Sequence, residues 1–220
     1  MTKIQHCLIL AAGRGQRMMP LTENIPKPMA PHKGSTLIAN QINKLSKLIP
    51  NIHVTVGYKG PVLAEHVIAS NVTSVIHTEG HSNSWWIHNT LLSYVNEPIY
   101  IMTCDNIADI DFELLEKDYH KQGEPPCMLI GVKPIPGLNG DYIFHKNYKV
   151  YKLDRNKQAP IYCSGIQIIN PFQTQKITDN IGDFYNIWNQ LINKNQLWVS
   201  SVLPSKWFSI DTIEHLHQVN

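Results

Sequence analysis

An apolar run, Cys7-Leu8-Ile9-Leu10-Ala11-Ala12, passes directly into Gly13-Arg14-Gly15-Gln16-Arg17, with Pro20-Leu21-Thr22 and Pro26-Lys27-Pro28 following. A buried strand that delivers a loop of small residues lets backbone amides approach a phosphate chain, and Arg17 and Lys27 stand near enough in sequence to neutralise it. The pattern predicts a nucleoside triphosphate site. It lacks the Gly-Lys-Ser/Thr ending of a P-loop and the third glycine of a dinucleotide fingerprint. Gly13 and Gly15 give the loop an unusual backbone, and Pro26 with Pro28 hold Lys27 extended rather than on a mobile tip.

The rest of the chain alternates strand and helix. Ile4 to Leu10 reads as a strand, and Leu37 to Leu48 as a helix that Ser35-Thr36 can cap. Ile52–Val56, Val72–His77, Ile99–Thr103, Cys127–Val132 and Leu197–Val202 read as further strands. Pro61–Ala69, Trp85–Val95, Phe112–Gln122 and Phe184–Asn193 read as helices, and 142–169 as short strands. Such alternation predicts an α/β, Rossmann-like fold with a mixed, mostly parallel sheet flanked by helices, which binds ligands at the carboxyl ends of its strands.

With 220 residues, 43% of them hydrophobic, the chain suits one substantial core. The expectation is a single domain over 1–220, with a nucleotide-binding part at about 1–110 and an acceptor-binding part at about 111–220. A formal charge of +2, spread without a clustered basic face, speaks against a nucleic-acid partner. No segment approaches the roughly 20 apolar residues of a membrane span, and Met1 to His6 carries no signal-peptide pattern, which predicts a cytoplasmic protein without a membrane partner. Cys7, Cys104, Cys127 and Cys163 are widely spaced within apolar runs and read as buried thiols. The interval between His77 and His81 resembles a ligand pair, yet both flank a loop and read as surface or packing histidines.

The run from Leu8 to Pro31 resembles the amino-terminal signature of the sugar-1-phosphate nucleotidyltransferases, Leu-Ala-Ala-Gly-x-Gly-Ser/Thr-Arg-Met/Leu-x-Pro-Leu-Thr followed by Pro-Lys-Pro. Thr103-Cys104-Asp105-Asn106, Cys163-Ser164-Gly165-Ile166 and Trp207-Phe208-Ser209-Ile210-Asp211-Thr212 match later landmarks of the same family. The short length, Gly140-Asp141-Tyr142 and Ser164-Gly165-Ile166 look most like N-acetylmuramate-1-phosphate uridylyltransferases and bacterial mannose-1-phosphate guanylyltransferases. There are departures. Gln16 replaces the Ser or Thr before the arginine. His81-Ser82-Asn83-Ser84-Trp85-Trp86 replaces a glycine-rich stretch and looks more like phosphocholine-type cytidylyltransferases. Lys152-Leu153-Asp154-Arg155-Asn156-Lys157 stands where many members carry Glu-Lys-Pro.

The resemblance implies nucleotidyl transfer: an acceptor phosphate attacks the α-phosphorus of a nucleoside triphosphate and pyrophosphate leaves. Positioning and electrostatic stabilisation dominate such a reaction. Arg17 would clamp the triphosphate and Lys27 would act on the α-phosphate. Magnesium is implied between two anionic reactants, held by Asp105 and Asp211. Asp109 and Asp111 fit capping of the helix at Phe112 better than metal binding.

Base and ribose would lie against the backbone of Leu10, Ala11, Ala12 and Gly13, with Gly15 also at the nucleotide and Glu79, Gly80, Asn83 and Ser84 reading the base edge. Asn83 equally suits a cap of the following helix, and Trp85 and Trp86 either stack on a ligand or pack. On the acceptor side, Asp141, Ser164 and Gly165 match family positions, while Lys152, Arg155 and Lys157 compete for the acceptor phosphate. The expected product is an NDP-sugar for polysaccharide or cell-wall biosynthesis. Two alternatives stand beside it: a cytidylyltransferase for a non-sugar phosphate such as phosphocholine, and a catalytically silent regulatory subunit. The oligomeric state is open, a homodimer included.

Overall fold

The computed structural model describes residues 3–220; Met1 and Thr2 of the amino-terminal segment lie outside the described residues. The first part of the chain forms β1 (His6–Leu10), α1 (Leu21–Asn24), β2 (Pro31–His32), β3 (Ser35–Thr36), α2 (Leu37–Leu45), β4 (Asn51–Val56), α3 (Gly60–Ile68) and β5 (Ser74–His77). Next come α4 (Trp86–Asn89), β6 (Ile99–Thr103), β7 (Asn106–Asp109), α5 (Phe112–Lys121), β8 (Cys127–Val132), β9 (Tyr142–Lys146) and β10 (Lys149–Asp154). The remainder is β11 (Tyr162–Ile169), α6 (Pro171–Ile177), α7 (Phe184–Asn193), β12 (Leu197–Val199), β13 (Lys206–Ser209) and α8 (Ile213–Val219). This is the mixed α/β architecture that the alternation predicts.

Two compact units interleave along the chain. The first comprises Gln5–His81, Met102–Ile107 and Phe208–Asn220; the second comprises Ser82–Ile101 and Ala108–Trp207, with the chain up to Ile4. The parts expected at about 1–110 and 111–220 are therefore drawn differently. The reason is local: the Ile210 amide donates to the Asp105 carbonyl at 2.9 Å, and Ile210 and Leu216 join Met18, Ala30 and Leu37 in one buried cluster. The last residues thus belong with the first ones.

In the first unit β1 pairs in parallel with β4, from His6 opposite Asn51 to Leu10 opposite Thr55, and β4 pairs in parallel with β5. Cys7, Leu8 and Ile9 are fully buried, which explains why β1 is apolar without alternation. α2 starts at Thr36, whose hydroxyl accepts from the Ala39 amide, and it turns Leu37, Ile38, Ile42 and Leu45 inward.

In the second unit β11 runs antiparallel to β6 and β8, β8 parallel to β12, and β10 antiparallel to β12 and β9. α5 is capped by Asp111, which accepts from the Leu114 amide, as its position before Phe112 predicts. The helix expected over 85–95 is divided into α4 and a 3-10 turn, Leu91–Tyr94. Asn89 Nδ2 and Thr90 Oγ1 donate to the Trp85 and Trp86 carbonyls, both at 2.8 Å, and take the place of backbone amides. The strand expected over 197–202 stops at Val199 because Asp118 accepts from Ser200 Oγ and from the Ser201 amide. Among the described residues, no helix is long and apolar enough to cross a membrane.

Candidate active site

The loop after β1 is held from behind by the end of β4. The Ala11 amide donates to Thr55 Oγ1 at 3.0 Å, the Tyr58 amide to the Ala12 carbonyl at 3.1 Å, and the Cys104 amide to the Leu10 carbonyl at 3.1 Å. These polar groups serve the loop itself. Gly13 has no atom within 4 Å of where a Cβ would stand, so its backbone is open to a ligand. Gly15 adopts φ +64°, and a Cβ there would lie 2.7 Å from Lys27 Cβ. Only glycine satisfies both demands.

The chain then makes a 3-10 turn, Gln16–Met18, that buries Met18 and leaves Arg17 outward. A second 3-10 turn, Lys27–Met29, follows Pro26, contains Pro28 and turns Lys27 inward. Lys27 Nζ lies 2.6 Å from Asp105 Oδ2 and 3.5 Å from Asp211 Oδ1, and Arg17 Nη2 lies 2.8 Å from Asp211 Oδ1. The four residues that the sequence singles out for phosphate and metal thus converge within one unit, although Arg17 and Asp211 are 194 positions apart. They line a cavity of about 400 Å³ with Leu10, Gly13, Arg14, Gly15, Gln16, Thr103 and Cys104.

Electrostatics differ within this quartet. The Lys27 side chain is 11% exposed. Burial opposes its charge, but Asp105, with help from Cys104 and Asp211, outweighs burial and holds the ammonium above the ordinary lysine range. The Arg17 side chain is 66% exposed, so its contact with Asp211 is worth little to stability and leaves the guanidinium free to exchange partners. Asp211 is not the cap of α8; Thr212 is, accepting from the His215 amide. Burial, reinforced by Asp105, pushes the Cys104 thiol up to about 12, so it is no nucleophile at neutral pH. All four cysteines are free, as their spacing predicts.

The carboxylates of Asp105 and Asp211 fit a magnesium ion in kind. Both are hard oxygen donors, and one ammonium already reaches both. Among the described residues there is no group of three or more His, Cys, Asp or Glu that could hold a metal. Any further ligands would come from phosphate oxygens and water, the usual situation for magnesium.

The other expected contacts are placed elsewhere. Glu79 and Gly80 belong to the first unit but do not line the cavity; Glu79 Oε2 lies 3.4 Å from His77 Nε2 at an exposed position. Asn83 and Ser84 belong to the second unit. Asn83 Oδ1 accepts from the Phe184 amide at 3.0 Å, so it serves the start of α7 and not the helix that follows it in sequence. Ser84 is buried, and its hydroxyl donates to the Gly182 carbonyl. Trp86 is fully buried against Phe184, which resolves its role as packing.

On the acceptor side, Asp141 pairs with Arg155 Nε and Lys152 with Asp154, each at 2.7 Å. A second cavity, about 500 Å³, is lined by Lys152, Leu153, Asp154, Arg155, Asn156, Asp183, Tyr185 and Asn186. Lys157 lies over the Phe144 ring and does not line it. The Ser164 side chain corrects an expectation. Its hydroxyl is buried, donates to the Ile130 carbonyl and accepts from the Ile166 amide, closing the register shift of β11 where Gly165 takes φ +80°. That hydroxyl serves the backbone of its own sheet. Arg14 occupies a variable position of the motif, and no motif of the sequence includes Tyr58.

A model of the MobA-like NTP transferase domain matches residues 7–127. The mannose-1-phosphate guanyltransferase of Yarrowia lipolytica is 26% identical over 179 residues, 74% of this chain and 49% of that protein. The bifunctional protein GlmU of Methanococcus aeolicus is 49% identical over 59 residues, 27% of this chain and 14% of that one. This chain thus spans at most about half the length of these relatives. Among solved structures, the CTP:phosphocholine cytidylyltransferase of Streptococcus pneumoniae superposes with a TM-score of 0.74 at 19% identity, over 98% of this chain and 97% of that one. The inositol-1-phosphate CTP transferase of T. maritima gives 0.74 at 16% identity, over 97% and 92%. These superpositions show the fold.

Proposed function

Because the chain belongs to the family of MobA-like NTP transferase domains, we propose that it is a magnesium-dependent nucleotidyltransferase. It would join a nucleoside triphosphate to a sugar 1-phosphate, giving an NDP-sugar and pyrophosphate. The observation that carries this reading is the single ammonium of Lys27, shared by Asp105 and Asp211 in a cavity whose rim is the Gly13–Arg17 loop.

The chemistry follows from charge. Attack at the α-phosphorus builds negative charge on non-bridging oxygens, and departure of pyrophosphate builds it on the leaving oxygen. Lys27 is pre-placed, mostly buried and permanently protonated at neutral pH, so it stabilises that charge without reorganising. Arg17, exposed and planar, exchanges Asp211 for phosphate oxygens. Gly13 lets the backbone approach the phosphates. Magnesium, held by Asp105 and Asp211, would supply a hard divalent charge to the phosphate oxygens. The acceptor is already anionic, so no general base is required. The reaction suits the cytoplasm.

The acceptor reading has one rival. The second cavity carries Asp183, while Lys152 pairs with Asp154 and Arg155 lies over the Tyr185 ring; what favours the rival is that the cytidylyltransferase named above, whose fold this chain shares, acts on phosphocholine. One experiment decides: pyrophosphate release from the four ribonucleoside triphosphates and dTTP, each with a panel of sugar 1-phosphates, phosphocholine and related phosphates. Turnover with a sugar 1-phosphate supports the proposal, and turnover confined to CTP with a non-sugar phosphate replaces it. Pyrophosphate from no combination overturns it in favour of a silent nucleotide-binding subunit.

A further inference from the structure

Tyr58 follows β4 and lies outside every motif of the chain, yet it makes three contacts with the segment from Ala12 to Thr22. Its amide donates to the Ala12 carbonyl at 3.1 Å, and its hydroxyl donates to the Thr22 carbonyl at 2.9 Å. Its ring carries the Arg14 guanidinium 5.5 Å from the centroid, with Lys59 Nζ at 5.6 Å. Of those two cations, only Arg14 lines the cavity.

Each contact leads to a group at the site. Thr22 is 2% exposed, and its own hydroxyl donates to the Gly15 carbonyl at 3.0 Å. Gly15 in turn stands so close to Lys27 that a Cβ would meet Lys27 Cβ at 2.7 Å. A chain of contacts therefore runs from the Tyr58 hydroxyl through Thr22 and Gly15 to the stem of Lys27. Gly57 makes the arrangement possible: a Cβ there would lie 2.7 Å from the Ala12 carbonyl oxygen, so no other residue lets the backbone carrying Tyr58 come this close.

We infer that Tyr58 is a positioning residue with two separable tasks: its hydroxyl latches the Pro20–Thr22 segment and thereby fixes Lys27, and its ring holds Arg14 over the cavity as a third cation for the polyphosphate. The inference rests on the proposed nucleotidyl transfer. The latch acts on the transition state, because a donor displaced by a fraction of an ångström loses much of its value there. Arg14 is exposed and meets the triphosphate in ground state and transition state alike, so its contribution is uniform binding.

Tyr58→Phe removes the hydroxyl and keeps the ring; Tyr58→Leu removes both and keeps most of the bulk. With Tyr58→Phe, kcat should fall about tenfold while KM for the nucleoside triphosphate stays within about twofold. With Tyr58→Leu, kcat should fall equally and KM should rise about fivefold. A residue that merely supported folding would lower the active fraction and leave KM alone in both variants. Equal kcat in Tyr58→Phe and wild type, or equal KM in the two variants, overturns the assignment.

Amide hydrogen exchange in the unliganded protein gives an answer that needs no activity. The Met18, Met19 and Glu23 amides, bonded to the Gly15, Gln16 and Pro20 carbonyls, should exchange faster in Tyr58→Phe than in wild type, and those of α5 should not. If wild type releases no pyrophosphate, the proposed reaction fails while exchange still decides the latch; unchanged exchange in Tyr58→Phe removes it.

Discussion

Lys27 Nζ lies 2.6 Å from Asp105 Oδ2, although 78 residues separate the two in sequence. Neither side chain reaches the other through local structure. β1 and the end of β6 are tied by the bond from the Cys104 amide to the Leu10 carbonyl, and the two proline-flanked turns then aim Lys27 back at that junction. A cation and a carboxylate so placed hold each other's geometry before any ligand arrives.

Lys27→Met should therefore affect rate and stability differently. Losing a pre-placed donor to the transition state should lower kcat by about 100-fold or more. Leaving the partly buried Asp105 carboxylate without its nearest counter-ion should cost about 1–3 kcal/mol. Steady-state pyrophosphate release and urea unfolding measure the two. A tenfold effect confined to KM would move Lys27 from transition-state stabilisation to ground-state binding.

Gly15→Ala and Gly13→Ala form a contrast within one loop. The first forces a Cβ into a left-handed backbone and against Lys27, and should lower stability by about 1–3 kcal/mol. The second meets nothing within 4 Å and should leave the unliganded melting temperature near that of wild type. It should nonetheless shrink the thermal shift produced by nucleotide if the phosphates bind as proposed, because the methyl group would then stand in their path. Equal melting temperatures for the two variants would contradict the crowding at Gly15.

Much of this site was legible in the sequence because its chemistry is concentrated in a few short runs. The glycines and prolines around Arg17 and Lys27 announced constrained backbone, and β6 delivers Asp105 where the ends of α/β strands hold ligands. Its convergence with Asp211 came from family resemblance, since no local pattern unites residues so far apart. Two small polar side chains for which the sequence suggests ligand roles are engaged by the fold itself. Asn83 and Ser164 are equally good at meeting a ligand and at satisfying backbone groups, and here tertiary contacts to Phe184 and Ile130 take them. Tyr58 left no trace because its role depends on a backbone approach at Gly57 that only the fold creates.

The first unit also contains a pH-sensitive pair away from the cavity. His53 is 5% exposed, with His6 Nδ1 at 3.0 Å and Ser74 Oγ at 2.7 Å from its ring nitrogens. Burial, then the nearby His6, lowers its pKa from 6.5 to about 4. Between those values the unfolded chain takes a proton that the folded one refuses, so stability is intact above about pH 6.5 and falls as pH drops toward 4. Between pH 7 and pH 5 the loss should be on the order of 2 kcal/mol. Urea midpoints at pH 7 and pH 5 measure it, and His53→Gln should flatten the difference. An unchanged slope in that variant would assign the pH dependence to other groups.

Asp105 and Asp211 make the metal requirement testable without turnover. Wild type should melt at higher temperature with nucleoside triphosphate and magnesium together than with nucleotide in EDTA, because ligands that bind the native state raise its apparent stability. Asp105→Asn should abolish turnover and remove that increment. Its unliganded melting temperature should change little, since Lys27 keeps Asp211 at 3.5 Å as a counter-ion and the Asn amide oxygen still accepts a hydrogen bond. Asp211→Asn should also lose the increment, and further loosen Arg17, whose 2.8 Å contact is made to the same carboxylate. A full magnesium increment in either variant would place the metal elsewhere and leave that carboxylate as a counter-ion only, of Lys27 in the case of Asp105 and of Arg17 and Lys27 in the case of Asp211.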